Sequence, residues 1–149
     1  MKTIDEVLNA VCEYAMIPRP ASKKDLKLCQ KDMADMDFPP LPQEYADFLA
    51  KLNGFAWNGI EFYSTDQVTD PETNYMLCDI VSANESFVIQ NEGFLEVKNY
   101  VMLGRSDEDI YVYNTTNGRY EVLDRDGRDV MEKYETFEAM FTGVAAPRL

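Results

Sequence analysis

The chain has 149 residues, with 27 Asp and Glu against 14 Lys and Arg, for a net charge of −13. At 46% hydrophobic and 12% aromatic residues it is rich enough to fold as one globular domain and is not of the disordered class. A surface this acidic argues against a nucleic-acid binder, because neutralising phosphates takes Lys and Arg, and against anionic membranes for the same reason.

Ile4, Val7, Leu8, Val11, Cys12 and Ala15 recur with the spacing of an amphipathic helix. Thr3 is placed to cap it, with Glu6 completing a capping box, and Pro18 and Pro20 stop it. Ser22, helped by Asp25, caps a second helix whose stripe is Leu26, Cys29, Met33 and Met36. The stiff Phe38-Pro39-Pro40-Leu41-Pro42 leads to a third helix, with Pro42 in its first turn. Tyr45, Phe48, Leu49 and Leu52 are its buried face, and Asn53-Gly54 its stop.

From Phe55 to Tyr63 the chain is aromatic and β-prone, broken at Asn58-Gly59 by a bulge or tight bend. Ser64 to Asn74 reads as an ordered polar loop. Ile80, Val81, Asn84, Phe87 and Val88 predict a fourth helix near 79–90. Tyr100–Arg105, Ile110–Asn114 and Arg119–Asp124 read as strands, the last two joined over Thr115-Thr116-Asn117-Gly118. Asp126-Gly127 predicts a two-residue hairpin into Arg128–Tyr134. Thr136 caps a short last helix with Phe137, Met140 and Phe141, and 143–149 reads as a loose tail. Helices over 1–54, then hairpin-linked strands over 55–142, predict an α+β domain. Its central antiparallel sheet has the N-terminal helices beside it and a short C-terminal helix. The 100–134 stretch has no room for parallel crossovers.

Histidine is absent, which removes Ser-His-Asp and Cys-His catalysis and any His-ligated metal. Cys12, Cys29 and Cys78 are odd in number, widely spaced and at apolar-patterned positions, so they read as buried free thiols in a reducing compartment. The opening Met1-Lys2-Thr3-Ile4-Asp5-Glu6 carries acids where a secretion signal carries bases and then an apolar run. A cytoplasmic protein without a membrane span is expected. With no His, Cys pair or phosphate-cradling glycine loop, no metal and no cofactor are expected. A carboxylate-based hydrolase stays a distant alternative, because no spacing singles out one pair of acids.

The acidity is uneven. Residues 1–54 carry 9 acids against 7 bases, and residues 55–149 carry 18 against 7. No base lies between Lys51 and Lys98, an interval that holds Asp66, Asp70 and Glu72. Asp107-Glu108-Asp109 adds a run of three acids. These carboxylates either keep the surface soluble or form a field that draws in a basic partner. Trp57, the sole tryptophan, is either a core ring or a partly open interface aromatic. Tyr111 and Tyr113 share one sheet face, where they pack across strands or recognise protein.

Leu41-Pro42-x-x-Tyr45-x-x-Phe48-Leu49-x-x-x-Asn53-Gly54, followed by an aromatic strand with Trp57 and Gly59, resembles the SUKH superfamily of cell-wall-assembly-regulator-like domains. Leu103-Gly104-Arg105-Ser106-Asp107 before Tyr111-Val112-Tyr113-Asn114 looks like its central strands, and Tyr134-x-Thr136-Phe137-Glu138-x-Met140 like its closing segment. The resemblance implies an α+β fold and a non-enzymatic role. Many bacterial members resemble immunity proteins that neutralise a cognate toxin, often a nuclease, and others resemble regulatory interaction modules. Leu41, Pro42, Tyr45, Asn53 and Gly54 match structural positions only. The expected partner is therefore a toxin domain with a basic surface. The candidate contacts are Asp66, Asp70, Glu72, Asp107, Glu108, Asp109 and Trp57.

Overall fold

A computed structural model describes residues 2–149. Its helices are α1 (Ile4–Val11), α2 (Lys23–Asp35), α3 (Gln43–Lys51), α4 (Ile80–Asn91) and α5 (Phe137–Ala145). Strands β1 (Phe55–Trp57), β2 (Ile60–Phe62), β5 (Tyr100–Arg105), β6 (Asp109–Asn114), β7 (Arg119–Asp124) and β8 (Val130–Tyr134) form one antiparallel sheet in the order β1-β2-β5-β6-β7-β8. The fold is α+β, with helices leading and a short helix closing the chain. β3 (Val68–Thr69), within the 64–74 segment read as a polar loop, pairs with β4 (Met76–Leu77) just beyond it as a separate hairpin.

Local chemistry explains most boundaries. Ser22 and Asp25 complete a reciprocal capping box on α2. On α1 only half of the expected box forms. Thr3 Oγ1 accepts from the Glu6 N–H at 3.1 Å, but the Glu6 carboxylate turns to the Thr3 hydroxyl instead of its backbone. α1 ends at Val11, so Cys12 leaves the apolar stripe and is exposed, as is Cys78; only Cys29 is buried. The expectation of three buried thiols therefore fails at two of them. Met36 also falls past the buried stripe of α2 and is exposed. Pro42 is the N-cap of α3 and not part of its first turn.

Asn58 and Gly59, at φ 47° and 82°, make the two-residue turn of the β1–β2 hairpin. The β7–β8 connection is longer than the sequence suggests. It runs through 125–129, and the residue at positive φ is Arg128 (60°), not Gly127. The C-terminal tail is held. α5 runs to the fully buried Ala145, and Arg148 Nη1 donates to the Asn58 carbonyl at 2.8 Å.

One face of the sheet carries the aromatic core. Phe48 of α3 and Phe137 and Phe141 of α5 meet Phe62 with ring centroids 4.9–6.2 Å apart. Tyr111 stacks on Phe62 at 5.2 Å, and Tyr113 lies against Tyr120 at 4.9 Å, so the β6 tyrosines serve this face and do not form an outer one. α4 lies along β5. β2 pairs with β5 only at Arg105 and Gly104, so the edge of β5 opposite β6 has no strand beside it at Met102. Asn84 of α4 takes the strand's place. Its amide accepts from the Met102 N–H at 2.8 Å and donates to the Met102 carbonyl at 3.0 Å. Gly104 permits the tight β2–β5 approach, because a Cβ there would run into the Glu61 carbonyl.

Phe48→Ala removes the ring shared by α3, α5 and β2 and should lower unfolding free energy by about 3–5 kcal/mol. Asn84→Ala strands the buried Met102 N–H and C=O, at about 1–3 kcal/mol for each group left unpaired. Denaturant titration checks both. A Phe48→Ala loss below 1 kcal/mol, on the order of a surface change, would remove the ring cluster as the basis of the core.

Candidate functional site

Two open grooves meet at one ion pair. Glu61 of β2 and Arg105 of β5 are register partners, and Arg105 Nε lies 2.9 Å from Glu61 Oε1. The hydrogen bond that Arg105 donates to the Glu61 carboxylate holds its guanidinium more firmly protonated than usual. Both side chains line both grooves.

The first groove, of about 570 Å³, is lined by Tyr14, Trp57 and Tyr75. Tyr14 is 79% exposed and Tyr75 43% exposed, while Trp57 is half-buried against the core. Each ring is set by local geometry. Tyr14 sits in the turn that closes α1, through its N–H to the Val11 carbonyl. Trp57 ends β1 just before the Asn58-Gly59 turn. Tyr75 closes the loop between β3 and β4, where its carbonyl accepts from Asp70 N–H at 2.8 Å. Burial, followed by the Glu61 carboxylate, pushes the Tyr75 phenol up, so it stays a neutral donor. Glu61, Asp70 and Asp107 are the acids of this groove, opposed by Arg105 alone.

The structure therefore gathers Trp57, Asp70 and Asp107. Glu72 lies in the Asp70 turn, its N–H on Asp70 Oδ1 at 2.9 Å, but outside the groove lining. Asp66 belongs to a separate recess with Asp32, Asp35 and Asp79. Glu108 and Asp109 form the turn into β6, where both N–H groups bond the Ser106 hydroxyl. Consecutive acids on a tight turn cannot share one face, and this divides the Asp107-Glu108-Asp109 run. Tyr14 and Tyr75 escape sequence reasoning because neither falls on a periodic apolar position. Their one signal is a large aromatic beyond a helix end and inside a polar loop.

The second groove, of about 530 Å³, lies between α4 and the sheet. Phe87, Met102 and Ile110 give it an apolar floor, and Arg105, Arg125 and Arg128 stand around it. The sequence conceals this cluster because Arg125 and Arg128 sit among the acids of a turn. No helix among the described residues is long and apolar enough to cross a membrane. Nor do three or more Cys, Asp or Glu side chains assemble there as a metal set. Compared with models of known protein families and with curated protein sequences, the chain matches none.

Burial pushes the Cys29 thiol up to about 12, with Asp32, Asp66 and Asp79 adding to it. At pH near 8, a small disulfide reagent should titrate Cys12 and Cys78 in the folded protein and reach Cys29 only on unfolding. Reaction of all three thiols at one rate would contradict the packing of α2. Burial and the neighbouring Glu108 and Asp124 raise the Asp109 carboxyl above 3.8. The folded state thus disfavours its charged form. Stability from this group is greatest below 3.8 and is lost as pH rises through the raised value. Asp109→Asn should raise the thermal midpoint at neutral pH, and the gain should fade in acid. A midpoint lowered at neutral pH would show the carboxylate to be favourable.

Proposed function

We propose that this chain is a non-catalytic protein-binding domain, an immunity protein that holds a cognate bacterial toxin through the groove of Tyr14, Trp57 and Tyr75. The observation that carries this reading is the pairing of three aromatic rings with Glu61, Asp70 and Asp107 around one open groove. Trp and Tyr are the side chains from which interface hot spots are most often made, since they offer large area at low entropic cost. The acids around them suit a basic partner, and a net charge of −13 speeds its approach. The SUKH-like order from Leu41-Pro42 to Met140 supports the same role. Nuclease toxins are basic where they grip phosphates, so an acidic protein covering that surface would block the substrate. The chemistry fits the bacterial cytoplasm, where free thiols such as Cys12 and Cys78 persist.

The test uses the purified product of the adjacent gene as immobilised partner. Tyr75→Ala, in an exposed loop that the core does not need, should weaken binding about 30-fold, the effect of a 2 kcal/mol hot spot. Asp70→Lys with Asp107→Lys should slow association, and raised salt should slow it further while leaving dissociation nearly unchanged. Asp66→Lys, in the other recess, should do much less. Association indifferent to salt and to the double reversal would assign the acids to solubility. Absence of binding to that product would remove the toxin as partner.

A further inference from the structure

We propose that the groove between α4 and the sheet is a binding site for a small organic monocarboxylate with an apolar body. This site adjoins the partner groove through the Glu61–Arg105 pair, but the proposal does not depend on that groove's function. Three observations converge on the arginines of the groove.

The first is that Arg125 and Arg128 form no ion pair among the described residues, in a chain with 27 acids. Arg105 is already matched by Glu61. Both remaining guanidiniums are held by neutral acceptors. Arg125 Nη1 reaches the Asp107 carbonyl at 3.4 Å, and Arg128 Nη1 the Asp126 carbonyl at 2.7 Å. The nearby carboxylate of Asp124 is occupied in the turn, accepting from Gly127 N–H at 3.1 Å. Asp126 is the one acid beside Glu61 in the lining.

The second is that Arg128 is positioned from beneath. Its Nε donates to Oδ1 of Asn91 at 2.7 Å, and Asn91 is 1% exposed and fixed by its own bond to the Phe87 carbonyl. The guanidinium lies 4.6 Å from the centre of the Phe94 ring. A buried amide and an aromatic face fix the guanidinium before any ligand arrives and leave Nη2 without a protein acceptor among the described residues, the preorganisation that favours a charge-assisted bond to a carboxylate.

The third is backbone conformation. Arg128 has φ 60°, a region that disfavours side chains, while a glycine precedes it. Gly at 128 would relieve the backbone, so the contacts of the side chain to Asn91 and Phe94 are what hold an arginine there, at the mouth of the groove.

The ligand class follows from the lining. Phe87, Met102 and Ile110, each under 10% exposed, close the groove from below, and the exposed Met76 on its wall offers the apolar surface that an apolar body would cover. Arg125 and Arg128 supply the anion contacts at the mouth. Three arginines against Glu61 and Asp126 leave one net positive charge. The surrounding field of −13 opposes a polyanion more strongly than a monoanion, which disfavours nucleotides and phosphate esters.

The experiment follows backbone amide shifts of the full chain with phenylbutyrate, its uncharged amide phenylbutyramide, and inorganic phosphate. Phenylbutyrate should shift Asn91, Met102, Arg125 and Arg128, with the other two nearly silent at equal concentration. Arg125→Gln should weaken phenylbutyrate about tenfold or more, as expected for a lost charged hydrogen bond. Arg128→Gly should weaken it at least as much, the relief of the backbone offsetting part of the loss of the Asn91 and Phe94 contacts. Equal shifts from phenylbutyramide would reduce the site to an apolar hollow, and equal shifts from phosphate would overturn the monocarboxylate class. Shifts confined to Tyr14, Trp57 and Tyr75, or undiminished binding by Arg125→Gln, would overturn the proposal.

Discussion

Phe137 stands where most of the fold is joined. It touches Tyr45 and Phe48 of α3, Phe62 of β2, Tyr120 of β7 and Phe141 of its own helix, with ring centroids 4.9–6.1 Å apart. These rings come from parts of the chain far apart in sequence, so the cluster forms only when α5 folds back over the sheet. Thr136 caps that helix, and the Glu44 carboxylate of α3 accepts from the Phe137 N–H at 3.1 Å. The same residue thus fixes the helix start and its packing. With the core anchored by α3 and α5, α4 lies along β5, and the two grooves open on either side of the Glu61–Arg105 pair.

The weak point of such a sheet is the short β2. Tyr63 N–H still reaches the Leu103 carbonyl at 2.9 Å, but then the chain departs, and Met102 of β5 would present unpaired backbone groups to the interior. Two side chains answer this. Asn84 pairs with both polar groups of Met102, and the buried Tyr45 hydroxyl donates to the Tyr63 and Leu103 carbonyls. Between them β5 skips Leu103, the register moving from Met102–Val112 to Gly104–Tyr111. A bulge next to a site commonly re-aims a side chain, and here it lies just before Arg105, the residue shared by both grooves.

These relations explain what could be read from the residues alone. α3 is legible because Tyr45, Phe48, Leu49 and Leu52 keep one helical face and Gly54 ends it. β5 and β7 match their predicted bounds because turn residues mark their ends. The β3–β4 hairpin is not legible, since two-residue strands in a polar segment have no period to detect. The turn before β8 misleads for another reason. Asp126-Gly127 has the composition of a tight hairpin, yet the chain places its left-handed residue at Arg128, where the contacts to Asn91 and Phe94 favour it. Of the predicted contact residues, Trp57, Asp70 and Asp107 converge. Sequence can count acids but cannot assign them to faces, and Asp66 lies in a different recess.

The two grooves differ in sign although they share a wall. The Glu61–Arg105 pair is electrically neutral, so each groove takes its character from what lies beyond it. On the Trp57 side these are Asp70 and Asp107; on the α4 side they are Arg125 and Arg128 against Asp126. Distance decides which a visitor senses. Charges are screened over about 10 Å at moderate ionic strength, so an approaching body meets the summed negative surface, and a group already at the mouth of the α4 groove meets the guanidiniums. The Asp124 carboxylate is bonded to Gly127 in the turn and pairs with neither arginine. The turn therefore does two jobs with one set of residues. It closes the β7–β8 hairpin with its acid, and it holds its arginines unpaired over an apolar floor.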